Sequence, residues 1–290
     1  MQYYKTKKSS NQFTKLSIPS YERDTDEKHP YYQTIDGDKG YFAFCPGCDN
    51  PIKMYNLYGN KNVELDGKPQ KTHARHYSSP LKGFPAFDQE AYDSCPFAKP
   101  SKFSGTSKRG QGKEVEELLN IITQHTDTLF SFVRSTSNIN FSEVLFEKML
   151  TSFKEADGVY FRHVNKFNLP FSFLYMSHNQ SLRYQFLFKQ DKNGIADSIS
   201  KKSMFFDVTN NQIRPKTKYN KADINIFFTD HNVTNLTEDP THTMTLVVKE
   251  SFAKETHTLL EKKIKFDNNI FYNTVIKNQR LRDMASRIFQ

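Results

Sequence analysis

Phe44-Cys45-Pro46-Gly47-Cys48-Asp49-Asn50-Pro51, then His73-Ala74-Arg75-His76, then Cys95-Pro96: these three short segments decide how the chain is read. The 290-residue sequence has three cysteines, and all three fall in this window. In a Cys-x-x-Cys turn, a proline and a glycine let the backbone curl until both sulfurs point the same way, which is how two thiolates reach one metal ion. Two further ligands close a tetrahedron. His73, His76 and Cys95 are the candidates, one more than zinc needs. A Cys3His site would use Cys45, Cys48, one histidine and Cys95; a Cys2His2 site would use Cys45, Cys48, His73 and His76. The two-residue gap between the histidines is tighter than the usual three to five, and Cys95 otherwise has no reason to lie here, so the reading favours Cys3His with His76 as the ligand and His73 beside the site.

Two other chemistries compete for the same residues. A redox Cys-x-x-Cys opens a helix near a βαβ pattern, whereas Asp49-Asn50-Pro51 follows this one. Buried structural cysteines are common, but a Cys-Pro-Gly-Cys turn is a poor place to pack a core. Enough protein ligands are present to close the coordination sphere, so one structural Zn2+ is expected rather than a catalytic ion with an open position.

Outward from this window, Tyr41–Phe44 and Ile52–Leu57 read as the two arms of a zinc-ribbon-like hairpin. They lie within a module of residues 1–98 that has an irregular lead-in and a short strand at Tyr31–Ile35. A second short strand is expected at Val63–Leu65. Residues 99–113 change character: Gly and Ser alternate with Lys99, Lys102, Lys108, Arg109 and Lys113, and no acidic residue interrupts them. That composition marks a flexible basic linker and a candidate phosphate-binding arm, with Arg75 as a further candidate beside the metal ligands.

Residues 114–290 read as an α+β domain of about five strands with flanking helices. Helices are expected over Glu114–Arg134 and Phe141–Lys154, the latter opened by an Asn140-x-x-Glu143 capping pattern. Strands are expected at Pro170–Met176, Leu182–Lys189, Met204–Val208, Ile224–Phe228 and Met244–Lys249, and helices again at Phe252–Lys265 and Tyr272–Phe289.

The order Cys-Pro-x-Cys, His-x-x-His, later Cys resembles the amino-terminal zinc region of CoiA-like competence proteins, whose second part resembles a restriction-type nuclease. The resemblance covers Cys45–Cys95 and, more loosely, the later order of a helix, an Asp-bearing strand and a Lys-bearing strand. It implies a magnesium site built from Asp223 and a Glu-x-Lys strand ending at Lys249. Val247 stands where that metal-binding glutamate belongs, so the sequence departs from the pattern at the reacting centre.

Composition sets the remaining expectations. Lys and Arg number 41 against 32 Asp and Glu, a formal charge of +9, which favours a polyanionic partner. With 26 Phe, 15 Tyr and no Trp, the core leans on rings. No stretch approaches the roughly 18 apolar residues of a membrane span, and the polar amino terminus lacks the apolar run of a signal peptide. Three clustered thiols without a disulfide framework suit a reducing cytoplasm. The sequence thus points to a zinc-stabilised, basic, non-catalytic nucleic-acid-binding protein for DNA or RNA, with a divergent nuclease and a protein-interaction subunit as alternatives.

Overall fold

The computed structural model describes all residues except 9, 11, 60–63, 66, 67, 70, 94, 99–101, 190, 191, 218–220, 235–239 and 290. Two compact units emerge: Met1–Ser101 with Val233–Thr241, and Lys102–Asn232 with His242–Gln290. The elements of the first unit are β1 (Tyr3–Tyr4), β2 (Thr14–Lys15), α1 (Ile18–Thr25), β3 (Tyr32–Ile35), β4 (Asp38–Phe44), β5 (Pro51–Tyr55), β6 (Glu64–Leu65), β7 (Lys68–Pro69), β8 (His73–His76) and α2 (Gln89–Asp93). Antiparallel pairing gives the sheet order β3-β4-β5-β8. Helix α1 starts where it does because Ser17 caps the Ser20 amide, Ser20 returns the bond, and Pro19 occupies the first turn.

Side chains alternate across the sheet, so register sorts them into faces. Phe42, Lys53 and Arg75 form one cross-strand row, and Ala43, Ile52 and His76 form the row behind it. The second face is the core side. Ala43, Ile52, Met54 and Ala74 pack there with Tyr4, Leu16 and Tyr21, and Cys45 and Cys95 belong to the same buried cluster. Tyr21 satisfies its buried hydroxyl by donating to the Phe42 carbonyl at 2.7 Å.

The second unit holds α3 (Lys113–Gln124), α4 (Thr126–Ser137), β9 (Ile139–Asn140), α5 (Glu143–Glu155), α6 (Leu169–Met176), β10 (Gln180–Ser181), β11 (Phe186–Leu187), α7 (Ile195–Lys202), β12 (Phe206–Thr209), β13 (Gln212–Pro215), β14 (Asp223–Thr234), β15 (Thr241–Phe252), β16 (Glu255–Phe266) and α8 (Asn268–Phe289). They build two four-stranded sheets, β10-β14-β15-β16 and β12-β13-β11-β9, where the sequence suggested about five strands. The chain is a mixed α+β protein. Among the described residues no helix is long and apolar enough to cross a membrane.

Five sequence expectations are overturned or narrowed here. Pro170–Met176 is helical, not extended: a run apolar but for Ser172 has no telling period, and Pro170 in the first turn of α6 favours helix. Phe252–Lys265 is a strand, not a helix. A two-residue turn at Ala253-Lys254, with Ala253 in the left-handed region, folds β16 back on β15. The helix expected over Glu114–Arg134 is two helices, broken at His125. Leu182–Lys189 pairs only over Phe186–Leu187, and Ser142 rather than Asn140 caps α5.

The described part of the basic stretch is not a free linker. Ser107 and Arg109 exchange backbone bonds with Arg162 and Tyr160. Phe103 is buried, its ring stacked 3.7 Å from that of His231. A line of buried polar groups starts there: the Phe103 amide donates to His231 Nδ1 at 3.1 Å, His231 Nε2 lies 3.3 Å from His242 Nδ1, and His242 Nε2 lies 2.9 Å from the Asn268 amide.

Candidate metal centre

Cys45, Cys48, His76 and Cys95 each offer one ligand atom, and those atoms all lie within 4.8 Å of one another. The Cys45 and Cys95 sulfurs are 3.6 Å apart, and His76 Nε2 is 3.3 Å from Cys48 Sγ and 3.6 Å from Cys95 Sγ. Four donors converging on one point could hold a metal ion.

Each arrives by a local route. Strand β4 ends at Phe44, and the Cys45 amide donates to the Asn50 carbonyl at 2.8 Å while Asp49 N–H returns to Cys45 O at 3.1 Å, closing the Cys45–Asn50 loop. Gly47 N–H points at Cys45 Sγ at 3.4 Å. The tightness of the loop explains the glycine. A Cβ at position 47 would sit 2.8 Å from the Phe97 ring and 3.1 Å from Cys95 Sγ. His76 ends β8 opposite Ile52, at the same end of the sheet as the cysteine loop. Cys95 follows α2, its amide bonded to Tyr92 O, and the edge of the His76 ring meets the Tyr92 ring at 5.0 Å. The third and fourth donors thus come from a strand end and a post-helical turn, not from a second ribbon hairpin.

Asn50 ties these routes together, a role the sequence reading missed. Its buried amide donates to Asp88 O at 2.8 Å and accepts from Asp88 N at 2.7 Å, and Nδ2 also points at Cys48 Sγ at 3.5 Å. Asp88 in turn caps the Ala91 amide at the start of α2. Buried Lys5 pairs with Asp49 on the other side of the loop. The available signal was the Cys-x-x-Cys-x-Asn spacing, since a buried amide can hold a backbone donor and a backbone acceptor at once.

His73 lies away from the donors. Three residues from His76 in a strand, it faces the opposite side of the sheet, so the two imidazoles cannot share a metal. It stacks on Tyr55, donates from Nδ1 to Lys71 O at 2.9 Å and accepts from Arg75 Nε at 3.1 Å.

The electrostatics of the donors ask for a cation. Burial pushes the Cys45 and Cys95 thiols up, while hydrogen bonds from Cys45 and Cys95, then His76, hold Cys48 far down. Three thiolates packed this closely would need a positive charge at the centre.

The other predicted site residues are divided between the two units. Arg75 is exposed on β8, and Lys102 and Lys113 are exposed in the second unit. Lys108 pairs with Asp157 at 3.0 Å and lies over the Phe161 ring. Arg109 is largely buried, bonded to the carbonyls of Phe161, Arg162 and Val164 and paired with Glu114 at 2.9 Å. These contacts make Arg109 a structural clasp, not a free phosphate ligand. Lys99 and the strand residue Val63 lie outside the described residues.

The nuclease constellation is not assembled. Val247 is buried, the Lys249 ammonium sits 5.2 Å from the centre of the Phe227 ring, and Glu250 is fully buried and bonded to Ser203 and Met204. Among the described residues, the Cys3His group is the one set of three or more His, Cys, Asp or Glu side chains within joint ligating reach. Comparison with protein-family models, with curated proteins and with solved structures returned no match.

Proposed function

We propose that this centre holds one structural zinc ion and that the chain is a zinc-stabilised, basic, nucleic-acid-binding protein without a catalytic metal. The observation that carries the reading is the closed donor set. Zinc bonds of about 2.3 Å to sulfur and about 2.0–2.1 Å to nitrogen put tetrahedral ligands about 3.7 Å apart between sulfurs and about 3.6 Å between sulfur and nitrogen. Three of the six donor separations, at 3.6, 3.3 and 3.6 Å, fall close to that frame, and all six lie within 4.8 Å. Three sulfurs and an imidazole suit zinc over magnesium or calcium, which prefer oxygen. The protein supplies four ligands, so no position is left for a reacting water. The ion would fasten the Cys45–Asn50 loop, the end of β8 and the turn after α2 to one another.

The nucleic-acid part rests on the charge of +9 and on the strand that carries both His76 and exposed Arg75. Metal analysis of unchelated protein tests the first part and should return one zinc per chain. Titration with labelled single-stranded and duplex oligonucleotides at several salt concentrations tests the second. Micromolar or tighter binding that weakens steeply with salt is expected. No binding at low salt would leave the protein-interaction subunit as the better reading.

A further inference from the structure

The outer face of the β4-β5-β8 sheet carries aromatic rings and cations in an ordered set. Tyr55 and Tyr77 are half-buried there, and the Lys53 ammonium lies 5.8 Å from one ring centre and 5.9 Å from the other. The Arg75 guanidinium flanks Tyr55 at 5.5 Å. Both rings are held from beside: His73 stacks on Tyr55 at 5.5 Å with planes 14° apart, and Phe42 meets Tyr77 edge-on at 5.2 Å. Cross-strand pairing places Lys53 opposite Arg75, and Tyr55 opposite His73.

Among the described residues, neither of these two cations meets a carboxylate, and they share one set of rings on one sheet face. Elsewhere Lys5, Lys108, Arg109, Lys166, Lys201 and Arg282 each meet an acidic partner. Among the described residues, Lys53 and Arg75 form no ion pair; both lie against rings, and Arg75 uses its Nε on His73. A cation over a ring keeps its charge for an outside anion. A preset aromatic surface between two such cations matches a ligand that alternates phosphates with flat, unpaired bases. Duplex hides its base faces, so the rings would contribute nothing to it.

We propose that Lys53, Tyr55, Arg75 and Tyr77 form a binding surface for single-stranded nucleic acid, with phosphates on Lys53 and Arg75 and a base stacked on Tyr55. This rests on the nucleic-acid reading above and gives it a location other than the basic stretch at 99–113. His76 ends the same strand, so zinc would fix the strand that presents Arg75.

The test is fluorescence anisotropy of the full, zinc-loaded chain with a labelled single-stranded 12-mer of mixed sequence and with its duplex. Zinc content and circular dichroism should be equal for every protein compared. The double variant Lys53→Gln with Arg75→Gln should weaken single-strand binding at least tenfold and lower the slope of log affinity against log salt by about 1.4. Tyr55→Leu, which keeps an apolar side chain beside His73, should lose roughly fivefold to a hundredfold in affinity with the slope unchanged. If the unmodified chain binds but all three substitutions leave affinity and slope alone, this surface is refuted while the nucleic-acid reading stands. If duplex is preferred and Tyr55→Leu has no effect, the single-strand assignment is refuted. If the unmodified chain binds neither probe at low salt, the underlying reading fails and the surface falls with it.

Discussion

The two units each bury a cluster of histidine with other polar groups, and they settle its charge in opposite ways. In the first unit His76 meets three cysteines, a set whose anionic form a cation could complete. In the second, the line from Phe103 to Asn268 is complete with every imidazole neutral. Proton counting shows why. The Phe103 amide donates to His231 Nδ1, so His231 carries its proton on Nε2 and donates to His242 Nδ1. His242 then holds its proton on Nε2 and needs an acceptor; Asn268 Nδ2 lies there at 2.9 Å while Asn268 Oδ1 is buried without a partner, so turning the amide by 180° satisfies both. The same residue type is thus a candidate metal donor in one place and a neutral relay in the other, and what decides is whether its neighbours are thiols or amides.

The strongest way to break this comparison is to remove the cation. Chelation, or Cys45→Ser, should destabilise the first unit by about 5 kcal/mol or more, since structural zinc in small modules contributes on the order of 10 kcal/mol and this unit also has an apolar core. Hydrogen exchange should speed up first in the Cys45–Asn50 loop and the segment 88–98, which the donors tie together. A chelator finds no comparable ligand set among the described residues of the second unit, so the Phe103 amide should keep its protection. Equal loss of protection at both places would erase the distinction.

Acid probes the other cluster. Burial, then His242, His163 and Lys102, push His231 down to about 3, and burial holds His242 at about 4 despite the favourable charge of Asp267. A base with a depressed folded pKa binds fewer protons folded than unfolded. The stability it contributes is therefore full above about 6.5 and is lost as pH falls from there through the folded values. Each histidine should steepen that loss by up to about 1.4 kcal/mol per pH unit between about 6 and 4. Urea melts followed at second-unit residues between pH 7 and 4 would measure it, and a flat profile would mean that the relay already accommodates a proton.

How much of this was legible in the sequence differs between the two clusters. Candidate metal ligands announce themselves by residue type and short spacing, so Cys45, Cys48, His76 and Cys95 could be picked out, with His73 beside them, before any fold was known. Strand parity, once β8 was suspected, would also have set His73 aside. The histidine relay spans Phe103 to Asn268, and no local pattern joins such distant residues. The same blindness to distance made Lys108 and Arg109 look free, because Asp157 and the Phe161–Val164 carbonyls come much later in the chain. Helix and strand were confused where period failed: α6 is apolar but for Ser172. In β16 a bulge pairs Val248 with Leu260 but Lys249 with Thr258, so adjacent Leu259 and Leu260 are both buried and the alternation is lost.

A third buried polar group lies between the two extremes. The Glu250 carboxyl has neither a cation nor a relay; it accepts from Ser203 Oγ at 2.5 Å and from the Met204 amide at 3.0 Å, fastening β15 to the turn after α7. Glu250→Ala should cost about 2–4 kcal/mol by stranding those donors and leaving a void, measurable as a lowered urea midpoint. A cost below about 1 kcal/mol would mean that water replaces the carboxyl.

The smallest expected effect is the most pointed, because it gives the relay a charge of its own. Asn268→Asp would place a carboxylate where the amide oxygen meets His242 Nε2–H, at the first residue of α8, where the helix dipole favours a negative charge. Near neutral pH the hydrogen bond persists and stability should change by about 1 kcal/mol or less, the cost of burying the carboxylate being offset in part by the dipole and the stronger bond. Below pH 6 the consequence is larger. An adjacent anion favours protonated His242, so its folded pKa should rise from about 4 toward the unfolded value. The gap that drives acid loss then narrows, and the stability profile between pH 6 and 4 should flatten by nearly one histidine's share while His231 keeps its own. An NMR titration of the His242 ring in both proteins reads the shift directly. An unchanged His242 titration would mean that the new carboxylate turns away from this ring.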